Sequence, residues 1–198
     1  TTKMCFPEVD PEADPAAFHR LRYVGKRTNF AKTYGATYTC IRDMFPEFSE
    51  EKCHEIDESY YKTFPGIKDY QNWVYAQSSR EPYLENLFGI RYYGCDGRHL
   101  INYLIQGSGA YVLKTKLVEV DEYLIKNGYK SKMALSIHDE IVFYKHKDDP
   151  ADLFFAIKDI LQTHPGLPIK LVSDMEVATT NWAEKYEVER IEDFYETN

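Results

Sequence analysis

Cysteine is scarce in this 198-residue chain: Cys5, Cys40, Cys53 and Cys95 stand alone, and no two form a CxxC pair. That excludes metal knuckles and a disulfide framework, and reduced thiols of a cytoplasmic protein are expected. No apolar run approaches the ~20 residues of a membrane span, and no signal-peptide pattern opens the chain. Repeats and low-complexity stretches are also lacking. A further absence is local. Between Pro15 and Arg42 there is no acid, against Arg20, Arg22, Lys26, Arg27, Lys32 and Arg42. Acid gathers instead between Asp43 and Glu58 and from Asp174 onward. The net charge of −8 therefore conceals a local basic face, and phosphate binding follows the local field more than the sum.

What is present is an ordinary globular composition, 43% hydrophobic and 28% charged, on a chain long enough for one large domain or two small lobes. Residues 1–17, with Pro7, Pro11 and Pro15 among acids, read as an irregular lead-in. Helices are expected from Phe18 to Tyr34, from Ser49 to before Pro65-Gly66, from Ile67 to Ser79, and from Arg98 to Lys126. Leu84 to Gly97 reads as short strands with turns, and Lys132 to Tyr144 as strand, tight turn, strand. Pro150 opens a helix to Thr163, a strand runs from Ile169 to Val177, and the acidic tail from Glu184 is expected to be solvated. A helix-rich first half and a mixed second half give an α+β protein of two lobes.

Three elements carry chemistry. Arg22, Lys26, Phe30 and Tyr34 recur at four-residue spacing ahead of Gly35. On a helix they stay within a sector of about 120° and rise roughly 18 Å, with charge at one end and rings at the other. Such a face suits a nucleoside triphosphate; an amphipathic helix with a solvated basic edge reads the same way. In Ser136-Ile-His138-Asp139-Glu140-Ile-Val, apolar strands flank a polar tip whose carboxylates suit Mg²⁺, though aspartate is common in plain turns. Arg98, Asn102 and Gln106 repeat the four-residue spacing before Gly107 and Gly109. They form either a stripe of donors for minor-groove acceptors, with glycines permitting close approach, or a polar helix surface with a kink.

All three, in this order, resemble the family A DNA polymerases, the bacterial polymerase I and phage replicase type. The fingers helix of that family reads R-x3-K-x3-F-x3-Y-G, its palm helix carries Arg, Asn and Gln at this spacing, and its third motif is His-Asp-Glu. Leu87-Phe88-Gly89-Ile90-Arg91 and Asn181-Trp182-Ala183 resemble further family segments. The resemblance implies a helical fingers subdomain over residues 1–90 and, over 91–198, a palm subdomain whose antiparallel sheet carries a catalytic hairpin, flanked by helices. It implies that Arg22 and Lys26 bind the triphosphate of a dNTP, with Lys26 assisting catalysis. Phe30 would pack on sugar and base, and Tyr34 would stack near the templating base. Arg98, Asn102, Gln106 and His138 would follow primer–template DNA. Asp139 would hold Mg²⁺ in a two-metal site, and Glu140, also catalytic, would assist the metal site or the primer terminus.

One departure qualifies this. The Asp-Tyr-Ser-like first motif of the family, which bears the other essential aspartate, has no match before Arg22, and no thumb segment is recognisable. The chain is therefore expected to be a fragment or a split subunit that needs an N-terminal polymerase portion and is inactive alone. A fragment that binds primer–template or nucleotide without chemistry is the alternative, and an unrelated structural protein is the third.

Overall fold

The computed structural model describes residues 1–10 and 12–194. It is an α+β chain of two compact units, Thr1–Gly107 and Ser108–Asn198.

The first unit begins with α1 (Thr2–Cys5), inside the segment expected to be irregular. Helix α2 spans Pro15–Thr33 and starts earlier than Phe18 because Asp14 caps it. The Asp14 carboxylate accepts the Ala17 N–H at 2.9 Å, and Pro15 occupies the first turn, where a missing N–H costs nothing. At its end Gly35 takes φ +85°, the left-handed stop expected there. Helix α3 (Tyr38–Met44) was not legible as an element. In α4 (Glu50–Thr63), Ser49 Oγ accepts the Lys52 N–H at 3.2 Å while Glu50 and Glu51 face the helix dipole. Helix α5 (Pro65–Ser78) again opens with proline. Strands β1 (Tyr83–Glu85) and β2 (Arg91–Tyr93) form an antiparallel hairpin.

Two clusters hold this unit together. Cys5, Phe6, Val24, Ile41, Phe45, Cys53 and Ile56 form one, tying α1 to α2, α3 and α4. At Gly25 a Cβ would lie 2.4 Å from Thr2 Oγ1, so only glycine lets α1 approach α2 this closely. The second cluster joins Val74 and Leu84 to Leu100, Ile101 and Leu104 of α6 (Gly97–Lys126). The start of α6 is fixed by Asp96, which accepts the His99 N–H at 3.0 Å and contacts the His99 ring at 2.8 Å.

In the second unit, strands β3 (Lys132–Ile137) and β4 (Glu140–Tyr144) form an antiparallel hairpin, with Ile137 opposite Glu140 and a bulge between Met133 and Leu135. Met133 and Phe143 pack with Val120, Leu124, Leu153, Phe154 and Ile157, the last three from α7 (Asp152–Gln162). The open end of the hairpin is closed by Asp149, which is buried. Its carboxylate accepts the Lys130 N–H at 2.8 Å and both the N–H and hydroxyl of Ser131 at 2.6 Å. Burial opposes this charge, yet the bonds from Ser131 and Lys130 outweigh it and hold the carboxyl below its ordinary range.

Two expectations are corrected here. The strand from Ile169 to Val177 is reduced to β5 (Glu176–Val177), paired with β6 (Tyr186–Glu187). Residues ahead of it are instead held by Gln162: its carbonyl accepts the Leu171 N–H at 3.2 Å, and its amide reaches Ser173. The expected solvated tail is folded in part. Val188 is buried at 1% exposure, and Phe194, in a short 3₁₀ turn (Ile191–Phe194), stacks on Phe154 at 5.7 Å. The end of that tail, residues 195–198, lies outside the described residues. Among the described residues the strands form three two-stranded antiparallel sheets, and the hairpin that carries His138 and Asp139 is one of them.

Candidate active site

Helix α2 presents Arg22, Lys26 and Phe30 on one exposed face, with Phe30 55% exposed. Among the described residues these three side chains make no hydrogen bond, ion pair or ring contact. Unpaired cations beside a bare ring are electrostatically available to an anionic, planar ligand. The opposite face, Val24, Gly25 and Thr28, is buried.

Lys32 does not belong to that basic face. It is 1% exposed, its ammonium pairs with Asp57 of α4, donates to the Ala36 carbonyl at 2.8 Å and lies 3.9 Å from the Tyr61 ring centre. Burial pushes the ammonium below its ordinary value, and the hydrogen bond and charge of Asp57 oppose that shift. Gln71 of α5 completes the anchor, donating to the carbonyls of Lys32 at 2.7 Å and Thr33 at 3.1 Å while accepting from Tyr61 at 2.8 Å. Asn29 adds a bond from the Tyr60 hydroxyl at 3.2 Å. These contacts set where the helix ends and so where Tyr34 points. A lysine in a basic run, with its acid 25 residues downstream, gave no sign of this in the sequence.

Tyr34 and Gln106 are brought together: the Gln106 amide donates to the Tyr34 hydroxyl. Arg98 is exposed and Asn102 half-buried along the same side of α6. Gly107 is explained by the protein itself. A Cβ there would stand 1.7 Å from the Tyr92 hydroxyl, so a tyrosine, not nucleic acid, makes the close approach; at Gly109 nothing lies within 4 Å.

The His138-Asp139 turn joins β3 to β4 in the second unit. His138 adopts φ +54°, a conformation uncommon outside glycine and one that collects at functional sites. Among the described residues Asp139 makes no hydrogen bond or ion pair, and its carboxylate is exposed. Glu140 lies 4.0 Å from the Lys185 ammonium, which also pairs with Glu176; that hydrogen bond raises the Lys185 pKa. A free carboxylate is a hard oxygen donor and fits a Mg²⁺ ligand. Asp139 is one such carboxylate, and among the described residues no cluster of three or more His, Cys, Asp or Glu stands ready to hold an ion. Among these residues, too, no helix is long and apolar enough to cross a membrane.

The likeness to known proteins covers the same ground. Residues 11–184 match the model of DNA polymerase family A. DNA polymerase I of Streptococcus pneumoniae is 30% identical over 171 residues, 80% of this chain and 19% of that protein. The Pseudomonas aeruginosa enzyme is 27% identical over 178 residues, 83% of this chain and 19% of that protein. The chain thus spans about a fifth of the length of these relatives. Among solved structures, the POL domain of Pol1 from M. smegmatis, in complex with DNA primer-template and dNTP, shares the fold. Its TM-score is 0.70 at 23% identity, over 85% of this chain and 30% of that one. An R-x3-K-x3-F-x3-Y-G helix, a donor-bearing helix and a His-Asp-Glu hairpin therefore stand within a fold and a sequence match of one kind: the chain belongs to DNA polymerase family A.

Proposed function

We infer that this chain is the fingers-plus-palm portion of a DNA-directed DNA polymerase, with fingers over residues 1–90 and palm over 91–198. It contributes to template-directed addition of dNTPs to a primer 3′-OH. The observation that carries this reading is the unpaired, solvent-facing row of Arg22, Lys26 and Phe30 on α2.

In this reading Arg22 and Lys26 hold the triphosphate and offset charge on the departing pyrophosphate. Phe30 packs against sugar and base, and Tyr34 offers ring surface to the templating base. His138, Arg98, Asn102 and Gln106 hold the primer–template, the last three by donors suited to minor-groove acceptors shared by all base pairs. Asp139 is the ligand this chain offers to Mg²⁺, and Glu140 stands next to it. Bound Mg²⁺ supplies charge stabilisation for in-line attack at the α-phosphorus. The chain's own share is positioning: it aligns triphosphate and primer end so that little entropy remains to be lost at reaction.

A second aspartate and the thumb come, in this reading, from an N-terminal polymerase portion, on the same polypeptide or a separate subunit. Primer extension with Mg²⁺ tests both points. The chain alone is expected to extend nothing, the N-terminal portion to restore extension, and Asp139→Ala to abolish it again. Extension that survives Asp139→Ala would overturn the assignment.

A binding-only role, holding primer–template or nucleotide without chemistry, draws support from Lys185, which already offers Glu140 a cation 4.0 Å away. In that case Asp139→Ala leaves biological activity intact.

A further inference from the structure

Of the four residues spaced along α2, three face solvent and the fourth does not. Tyr34 packs against the cluster of Val74, Leu84, Leu100, Ile101 and Leu104, and its hydroxyl accepts the Gln106 amide N–H. Gln106 is itself exposed, so this bond is formed at the surface and open to competition from a ligand. The backbone beneath Tyr34 is fixed independently, through the Lys32 and Thr33 carbonyls that Gln71 holds and through Lys32 with Asp57. Gly35, at φ +85°, then turns the chain away. The Tyr34 side chain can therefore leave Gln106 without unwinding the helix.

Both partners in this bond are groups that the function proposed above assigns to nucleic acid. A minor-groove acceptor and the Tyr34 hydroxyl compete for one amide group, and a ring tethered to α6 is withheld from a base.

We propose that the Gln106–Tyr34 contact is an autoinhibitory latch, which a primer–template duplex opens by taking the Gln106 amide and so freeing Tyr34. The latch rests on the polymerase reading for the roles of both residues. It makes Gln106 a positioning residue for Tyr34: occupancy of the minor groove is reported to the helix that selects the nucleotide. Two sites coupled through one shared contact influence each other reciprocally.

Fluorescence anisotropy with a labelled primer–template at low salt tests this, using wild type, Tyr34→Phe, Gln106→Ala and the double variant. Tyr34→Phe keeps the ring and removes only the latch acceptor, so it should tighten binding by about 2- to 12-fold, the net worth of one hydrogen bond. Gln106→Ala should weaken binding, and adding Tyr34→Phe to it should change nothing further, since the latch is already gone. Equal or weaker binding by Tyr34→Phe, with Gln106→Ala still impaired, would overturn the latch and leave the polymerase reading standing. Normal binding by Gln106→Ala overturns the latch as well. Failure of the wild-type chain to bind primer–template overturns both.

Discussion

Asp57 of α4 holds the buried ammonium of Lys32, one residue from the end of the helix that bears Arg22, Lys26 and Phe30. The pair separates two kinds of lysine on one helix: Lys26 is free for a ligand, and Lys32 fastens the helix to its neighbours.

Removing one partner of a buried pair strands the other charge. Asp57→Ala is expected to cost about 3 kcal/mol, and Lys32→Met, which leaves only the better-hydrated Asp57, distinctly less. Urea unfolding of both variants gives the order; equal losses would refute the stranded-charge account.

Arg22→Ala and Lys26→Ala should behave in the opposite way. Each removes a side chain without a protein partner, so stability should stay within about 0.5 kcal/mol. Loss of a charge-assisted bond to phosphate should weaken dNTP binding by roughly 10- to 100-fold. Equilibrium dialysis with labelled dNTP, alongside thermal melts, checks both halves of the expectation.

The Asp149 clamp has a defined pH response. Its carboxyl is held below the ordinary range in the folded chain, so its contribution is present above the unfolded value of about 4 and is lost as pH falls through the folded value. Asp149→Asn should therefore melt below wild type at neutral pH, with the gap closing in acid. A gap that stays constant into acid would show that the carboxylate charge is not what closes the hairpin.

At the tip, His138 sits at φ +54°, which costs an L-residue about 1–2 kcal/mol. His138→Gly should match or exceed wild type in thermal midpoint, and His138→Val, whose branched Cβ suits that region least, should fall below it. Reversal of that order would place the strain elsewhere.

Much of the fold was legible because it is written locally. Ser49 with two following glutamates, Gly35 after the helix, and an apolar–polar–apolar hairpin each encode an element within a few residues. The shared face of Arg22, Lys26 and Phe30 follows from four-residue spacing alone. What escaped the sequence depends on distant partners. The pairing of Lys32 with Asp57, the bond between Tyr34 and Gln106, and the ring of Tyr92 against Gly107 join residues whose separation carries no periodic signal. The segment before Met175 looked like a strand because Ile169 and Val172 are β-formers. Among the described residues no strand pairs with that segment, and the preference yields to the hold of Gln162 on Leu171 and Ser173.

The β3–β4 hairpin also bears on how the chain behaves in a test tube. Leu135 is 52% and Tyr144 76% exposed, Ile137 is open too, and among the described residues each strand is bonded only to the other. Apolar side chains beside unpaired strand edges attract further strands, including those of identical molecules. Association of concentrated preparations through the ribbon that carries Asp139 is therefore expected. Measurements on this chain belong at low concentration, where Asp139 stays in water.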